Sequence, residues 1–193
     1  MDQITLIGHN TDVNQAGEYG ETPLYNAAWS GDTETVKLLI KHNADVNKSS
    51  YSGEAPLSAA SHRGRLDIVK LLIEHNANVN KANNFAETPL YIAAAEGHLE
   101  TAKLLVEHNA DVNKVGYFGY TALCWAVERG YLGIVKLLIE RNANVYVRTK
   151  QGKSVLDIAI EKGNEEIIQM IREAMKIPWD HMIYHLYPPE VRQ

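Results

Sequence analysis

"LLIKHNADVNK" occupies Leu38–Lys48. It returns as "LLIEHNANVNK" from Leu71, "LLVEHNADVNK" from Leu104 and "LLIERNANVY" from Leu137, 33 residues apart each time. An echo, "IGHNTDVNQ", spans Ile7–Gln15. A fixed period of this length is the mark of supersecondary units that stack in a row. Cut at the Asn that ends each phrase, the chain divides into 14–46, 47–79, 80–112, 113–145 and 146–178, with no insertion or deletion. Residues 1–13 read as a partial unit or cap, and 179–193 as a tail, expected to form a capping helix.

Each unit reads alike. A polar turn comes first, with Gly20, Gly53, Gly119 and Gly152 at one position and Ala86 in the third unit. "TPLYNAA" (Thr22–Ala28) follows, matched by "APLSAAS", "TPLYIAA", "TALCWAV" and "SVLDIAI". Thr then Pro predicts a helix start, because the hydroxyl caps free N–H groups and Pro has no N–H to leave unpaired. Ala55 loses that cap, and Ala122 replaces the Pro. The short helix is expected to end near Gly31, Gly64, Gly97, Gly130 and Gly163. A second helix is predicted over Asp32–His42, with Val36, Leu38, Leu39 and Ile40 as its apolar set; Leu104 and Leu105 continue that stripe. Asn43, Asn76, Asn109 and Asn142 fall just past the second helix, where the backbone turns left-handed and Asn is tolerated. Val46, Val79, Val112 and Val145 are then expected to turn inward and pin the loop.

Composition narrows the function classes. Hydrophobic residues make up 45% of the 193, enough for a packed core. The net charge is −5 and patchy in sign along the units, with no basic stripe, so no nucleic-acid partner is expected. No apolar run approaches the roughly 18 residues of a membrane helix, and the N-terminus has no basic segment followed by an apolar one. With the single Cys124 no internal disulfide forms, which fits a reducing compartment. A cytoplasmic monomer is the expectation.

These residues resemble the ankyrin repeat from Asn14 to about Pro178. Its pattern is T-P-L-H-x-A-A, then G-H, then L-L, then G-A-D-V-N. Tyr25, Ser58, Tyr91, Cys124 and Asp157 stand where that pattern has His, and Asn stands where it has Gly. The resemblance implies an all-α solenoid of paired antiparallel helices with projecting hairpin-like fingers. It also implies a non-enzymatic protein-binding module that uses finger tips and the exposed side of the first helix. Two alternatives stay open. One is a substrate-selecting adaptor of a ubiquitin ligase. The other is the ankyrin part of a larger effector, acting in a host cytoplasm if the source is an intracellular bacterium.

No phosphate-cradling loop, nucleophile elbow or HExxH pattern is present, so no enzyme chemistry and no cofactor are expected. Cys124 falls on the inner helix and reads as a packed thiol. His42, His75 and His108 form a row, but stacked helices stand about 8–10 Å apart and a zinc ligand must reach about 2.1 Å. They read as helix C-terminal histidines that suit the dipole. His181 and His185 lack further ligands nearby, and no metal is expected.

The informative positions are those where the units disagree. The finger tips offer Glu18, Tyr19, Tyr51, Ser52, Asn84, Phe85, Tyr117, Phe118, Lys150 and Gln151. Beside them stand Glu21, Glu54, Glu87, Tyr120 and Lys153. The first helices add Trp29, Ser30, His62, Arg63, Ala95, Glu96, Glu128 and Arg129. Turns favour small polar residues, whereas aromatics and Arg are typical interface anchors. Tyr19, Trp29, Tyr51, Ser52, His62, Arg63, Phe85, Glu96, Tyr117, Phe118, Tyr120, Glu128 and Arg129 are therefore the candidate protein-binding residues. Tyr25, Tyr91 and Trp125 are expected to be half-buried and structural.

By the same resemblance, Asn47 and Asn113 look like substrates of the oxygen-sensing asparaginyl hydroxylase. Asn47 has Asp45 before it and Leu39 eight residues upstream, and Asn113 has Asp111 and Leu105; Asn80 fits less well, with Asn78 in place of the acid. In the tail, "IPWDHMIYHL" (Ile177–Leu186) is similar to the opening of an F-box, and equally reads as a helix folded on the last unit.

Overall fold

The computed structural model describes residues 12–176. The tail, with its F-box-like and capping-helix readings and His181 and His185, lies outside the described residues. So does most of the N-terminal partial unit.

Among the described residues ten α-helices follow one another in pairs: α1 (Pro23–Ser30), α2 (Thr33–Lys41), α3 (Pro56–His62), α4 (Leu66–Glu74), α5 (Pro89–Glu96), α6 (Leu99–Glu107), α7 (Ala122–Arg129), α8 (Leu132–Glu140), α9 (Val155–Lys162) and α10 (Glu165–Ala174). The starts are local chemistry. Thr22, Thr88 and Thr121 accept the N–H three residues on, and Ser154 forms a reciprocal capping box with Asp157. Ala55 offers no such bond. The second helices run as expected, with Asp32 capping α2 through the Thr35 N–H and His42, His75 and His108 at the C-caps of α2, α4 and α6. Asn43, Asn76, Asn109 and Asn142 adopt φ of 62°, 65°, 64° and 61°, the left-handed turn read from the sequence.

Stacking supplies the core. Leu24, Leu57, Leu90 and Leu123 form one buried file on the first helices. Leu39, Leu72, Leu105, Leu138 and Ile171 form another on the second, with Val36, Val69, Ala102, Val135 and Ile168 beside it. Each fully buried aliphatic side chain contributes roughly 1.5–3 kcal/mol that a lone unit could not obtain. Two readings are corrected. Leu104 does not share the full burial of Leu105 but is half-buried, packing against the core from its edge. Arg172, expected on the polar outer side of the last unit with Glu165, Glu166, Gln169 and Glu173, is only 8% exposed; it follows Ile171 on the inner side of the amphipathic α10, and the other four are exposed.

The first helices touch one another along the row far more closely than the second helices do. The array therefore curves toward the first helices, and the concave side is theirs. From its edge project five fingers. Each is closed across its base by a backbone bond, Gly17 to Glu21, Ser50 to Glu54, Asn83 to Glu87, Gly116 to Tyr120 and Thr149 to Lys153, at 2.8–3.0 Å, with a second bond inside the turn. Among the described residues the fingers are turns rather than strands, with one isolated bridge between Arg148 and Ser154.

Candidate protein-binding face

The candidate residues fall into three groups on this side of the molecule. The first spans α1, α3 and α5. Tyr25 stacks on Trp29, with ring centroids 6.4 Å apart and planes 12° from parallel. Trp29 meets the His62 ring at 4.9 Å, and the Arg63 guanidinium lies 5.3 Å over the indole. A cation over an indole face is attracted by the ring quadrupole, so Trp29 and Arg63 fix each other. The Tyr25 hydroxyl donates to Glu54 of the next unit at 2.8 Å. Burial, and then the Glu54 acceptor, push the Tyr25 pKa well above the ordinary phenol value. His62 Nε2 lies 3.9 Å from the Glu96 carboxylate. Trp29, Arg63 and Glu96 remain exposed, and His62 is half-exposed.

The second group sits further along the row, between α5 and α7. Tyr91 is buried and meets Trp125 edge-on at 6.2 Å. Tyr120, at the base of the fourth finger, tilts against the same indole at 4.9 Å. The Arg129 guanidinium lies over the same indole at 5.7 Å. Glu128 pairs with Lys162 of the next unit. The two groups repeat one construction: an indole on the first helix, an aromatic beside it and an arginine over it.

The third group is the finger row. Tyr19, Tyr51, Phe85, Tyr117 and Phe118 are between 47% and 75% exposed. Phe85 and Tyr117 touch edge-on at 5.6 Å, and Tyr117 and Phe118 at 4.0 Å. Ser52 is exposed, and its hydroxyl shares a hydrogen bond with Ser50 at 2.8 Å.

The family comparison agrees with this architecture. The family model for ankyrin repeats (3 copies) matches residues 4–83, 48–116, 64–149 and 113–178. The chain belongs to the ankyrin-repeat family. A search of the curated proteins found no match. Ankyrin repeats are generally protein–protein interaction modules, and the family is typically non-enzymatic.

Within this ankyrin array the remaining polar groups have structural surroundings. Cys124 is a free, buried thiol whose pKa is raised by burial, the opposite of what a nucleophile needs. Asn47 and Asn113 bridge successive loops: each amide oxygen accepts the N–H of the residue 31 further on, and each amide nitrogen donates to the carbonyl 29 further on. Among the described residues no helix is long and apolar enough to cross a membrane.

Sequence reading missed Tyr146. It is 63% exposed, and its hydroxyl donates to the Met175 carbonyl at 3.1 Å. The signal was present: Tyr146 stands where the earlier units have Asn47, Asn80 and Asn113.

Proposed function

We propose that the chain is a non-enzymatic module that binds a protein partner along its concave side. The observation that carries this is the exposed finger row, with Tyr51, Phe85 and Tyr117 at successive units where turns would take small polar residues. Trp29 with Arg63 continues it onto the first helices. Aromatic rings and arginines held by their own neighbours lose little freedom on binding, which is what an anchor residue requires. His62, Glu96, Glu128, Arg129, Tyr19, Ser52, Phe118 and Tyr120 frame the same surface. In this reading the protein acts as a cytoplasmic monomer, with no nucleic acid and no cofactor.

The test is co-purification with quantitative mass spectrometry, comparing the full chain with the triple variant Tyr51→Ala, Phe85→Ala, Tyr117→Ala. Retained partners should drop about tenfold or more, with helical circular dichroism and melting nearly unchanged. Full retention of partners by a folded triple variant would remove the proposal.

A further inference from the structure

Consecutive fingers are laced by one backbone bond. The Tyr51 N–H donates to the Tyr19 carbonyl at 3.0 Å, Asn84 to Ser52 at 2.9 Å and Lys150 to Phe118 at 2.9 Å. By the same step the Tyr117 N–H should reach the Phe85 carbonyl. Among the described residues it does not, and neither group has another hydrogen-bond partner.

The cause is one side chain. Gly20, Gly53 and Gly119 hold φ of 84°, 84° and 78°, and a Cβ there would come within 2.7, 2.8 and 2.8 Å of the next finger's backbone nitrogen. The third finger has Ala86 at this position, in the same left-handed conformation with φ 62°. In the laced geometry of the neighbouring fingers a methyl group at this position would meet the next finger's backbone nitrogen. That finger instead forms a 3-10 turn over Tyr117–Gly119, with Phe118 at φ 54°. Two residues with side chains thus hold a backbone that disfavours them. The result is a seam with an open N–H and an open carbonyl, rimmed by Phe85, Tyr117 and Phe118.

We propose that this seam anchors an extended segment of the partner polypeptide. The inference rests on the binding function proposed above. At every other junction this donor and acceptor are satisfied by polypeptide backbone, so backbone is the chemistry that fits the open pair. The exposed rings take a bulky apolar side chain of the segment. Charge sets its polarity. On one side, among the described residues, the Glu54 and Glu87 carboxylates accept neutral donors and make no ion pair: the Tyr25 hydroxyl donates to Glu54 and the Asn83 amide to Glu87. On the other side Lys150 makes no ion pair among the described residues. The segment that fits is basic, then apolar, then acidic.

Ala86→Gly tests this without endangering the fold, because Gly relieves the strain and restores the residue of the neighbouring fingers. The variant should melt higher, and its Tyr117 amide should exchange more slowly as the fourth finger laces to the third. Linear peptides selected from a phage-displayed random library on the full chain should share an apolar residue flanked by Lys or Arg. A selected peptide, made synthetically, should shift the Tyr117 and Phe118 amide resonances. It should bind Ala86→Gly and Phe85→Ala about tenfold more weakly, and more weakly still at high salt. Equal binding to Ala86→Gly, selected peptides with acidic flanks only, resonance shifts confined to the second helices, or no enrichment at all would each overturn the seam. Association of two copies through the seam, seen by sedimentation and lost in Ala86→Gly, would overturn it as well. The concave-face function would survive these outcomes as long as the triple aromatic variant still loses partners.

Discussion

Asn80 Oδ1 accepts the backbone N–H of Asp111 at 2.8 Å, and its Nδ2 donates to the Asn109 carbonyl at 3.2 Å. One side chain therefore fastens the loop entering the third unit to the loop leaving it. Asn14, Asn47 and Asn113 accept the equivalent N–H of Asp45, Asn78 and Asn144 at 2.7–2.8 Å. Asn80→Ala removes both of its bonds at a solvated joint. Each is worth about 0.5–1.5 kcal/mol net, so a loss of roughly 1–3 kcal/mol is expected. Urea unfolding followed by circular dichroism reads it, and an unchanged midpoint would mean that water replaces the ladder at no cost.

The same ladder bears on the proposed hydroxylation. Asn47 is half-buried, whereas Asn113 is exposed and its Nδ2 bond to the Asn142 carbonyl is long, at 3.4 Å. Asn113 is the easier of the two to release from its joint. Incubation with the asparaginyl hydroxylase should add one oxygen atom at Asn113 first and at Asn47 later, read by peptide mass spectrometry. No added oxygen, or addition at Asn80 ahead of Asn113, would dismiss the substrate resemblance.

Tyr91 offers a prediction in pH. Its hydroxyl is buried without a well-formed hydrogen bond, although the Trp125 indole N–H beside it opposes part of the effect of burial. Burial pushes the phenol from 10.0 up to about 12. In this window the unfolded chain gives up the proton and the folded chain keeps it, so stability falls as pH rises. Below the unfolded value both states are neutral and the contribution is constant. Tyr91→Phe should flatten part of that fall, with the rest left to Tyr25 and Tyr120, whose values are also raised. Near neutral pH the variant loses no bond and is expected to be as stable as the parent or slightly more so. Urea midpoints from pH 9 upward, about one unit below the phenol range, give the comparison. An identical decline in both proteins would exclude Tyr91 as a contributor.

What was legible in the sequence was what is local. Thr22 caps a helix within three residues, and Asn43 adopts the left-handed turn that Asn tolerates, so spacing alone located both. The finger aromatics could be picked out because a turn gives them no place to hide. The ring contacts were not legible. Trp29 meets His62 from the next unit, and Tyr91 meets Trp125 in the same way; which rings touch depends on the pitch of the stack rather than on any one unit. Arg172 was misplaced because its charge argued for solvent while its place on α10 argued for the interior, and position won. Ala86 was visible as a departure from Gly. Its consequence needed the neighbouring finger's backbone nitrogen to be located first.

Ala55 gives the last prediction. It opens α3 with φ −91° and ψ 164°, close to Thr22 at −78° and 160° and Thr88 at −86° and 165°. The backbone is thus already arranged for a cap that Ala cannot supply. Where Thr22 accepts the Tyr25 N–H through its hydroxyl, the Ser58 N–H turns to the Ala55 carbonyl at 2.9 Å. Thr22, Thr88 and Thr121 stand at the same position of their units and are as buried as Ala55, so the fold accommodates Thr at this place in the repeat. Ala55→Thr should therefore stabilise the array by about 1 kcal/mol, within the usual range for a cap. Ala55→Val is the control, because it has nearly the same shape and no acceptor. Denaturant midpoints should rise for Thr and stay level or fall for Val. An equal rise in both would assign the gain to methyl burial, and no rise in either would show that the Ala55 carbonyl already satisfies the helix start.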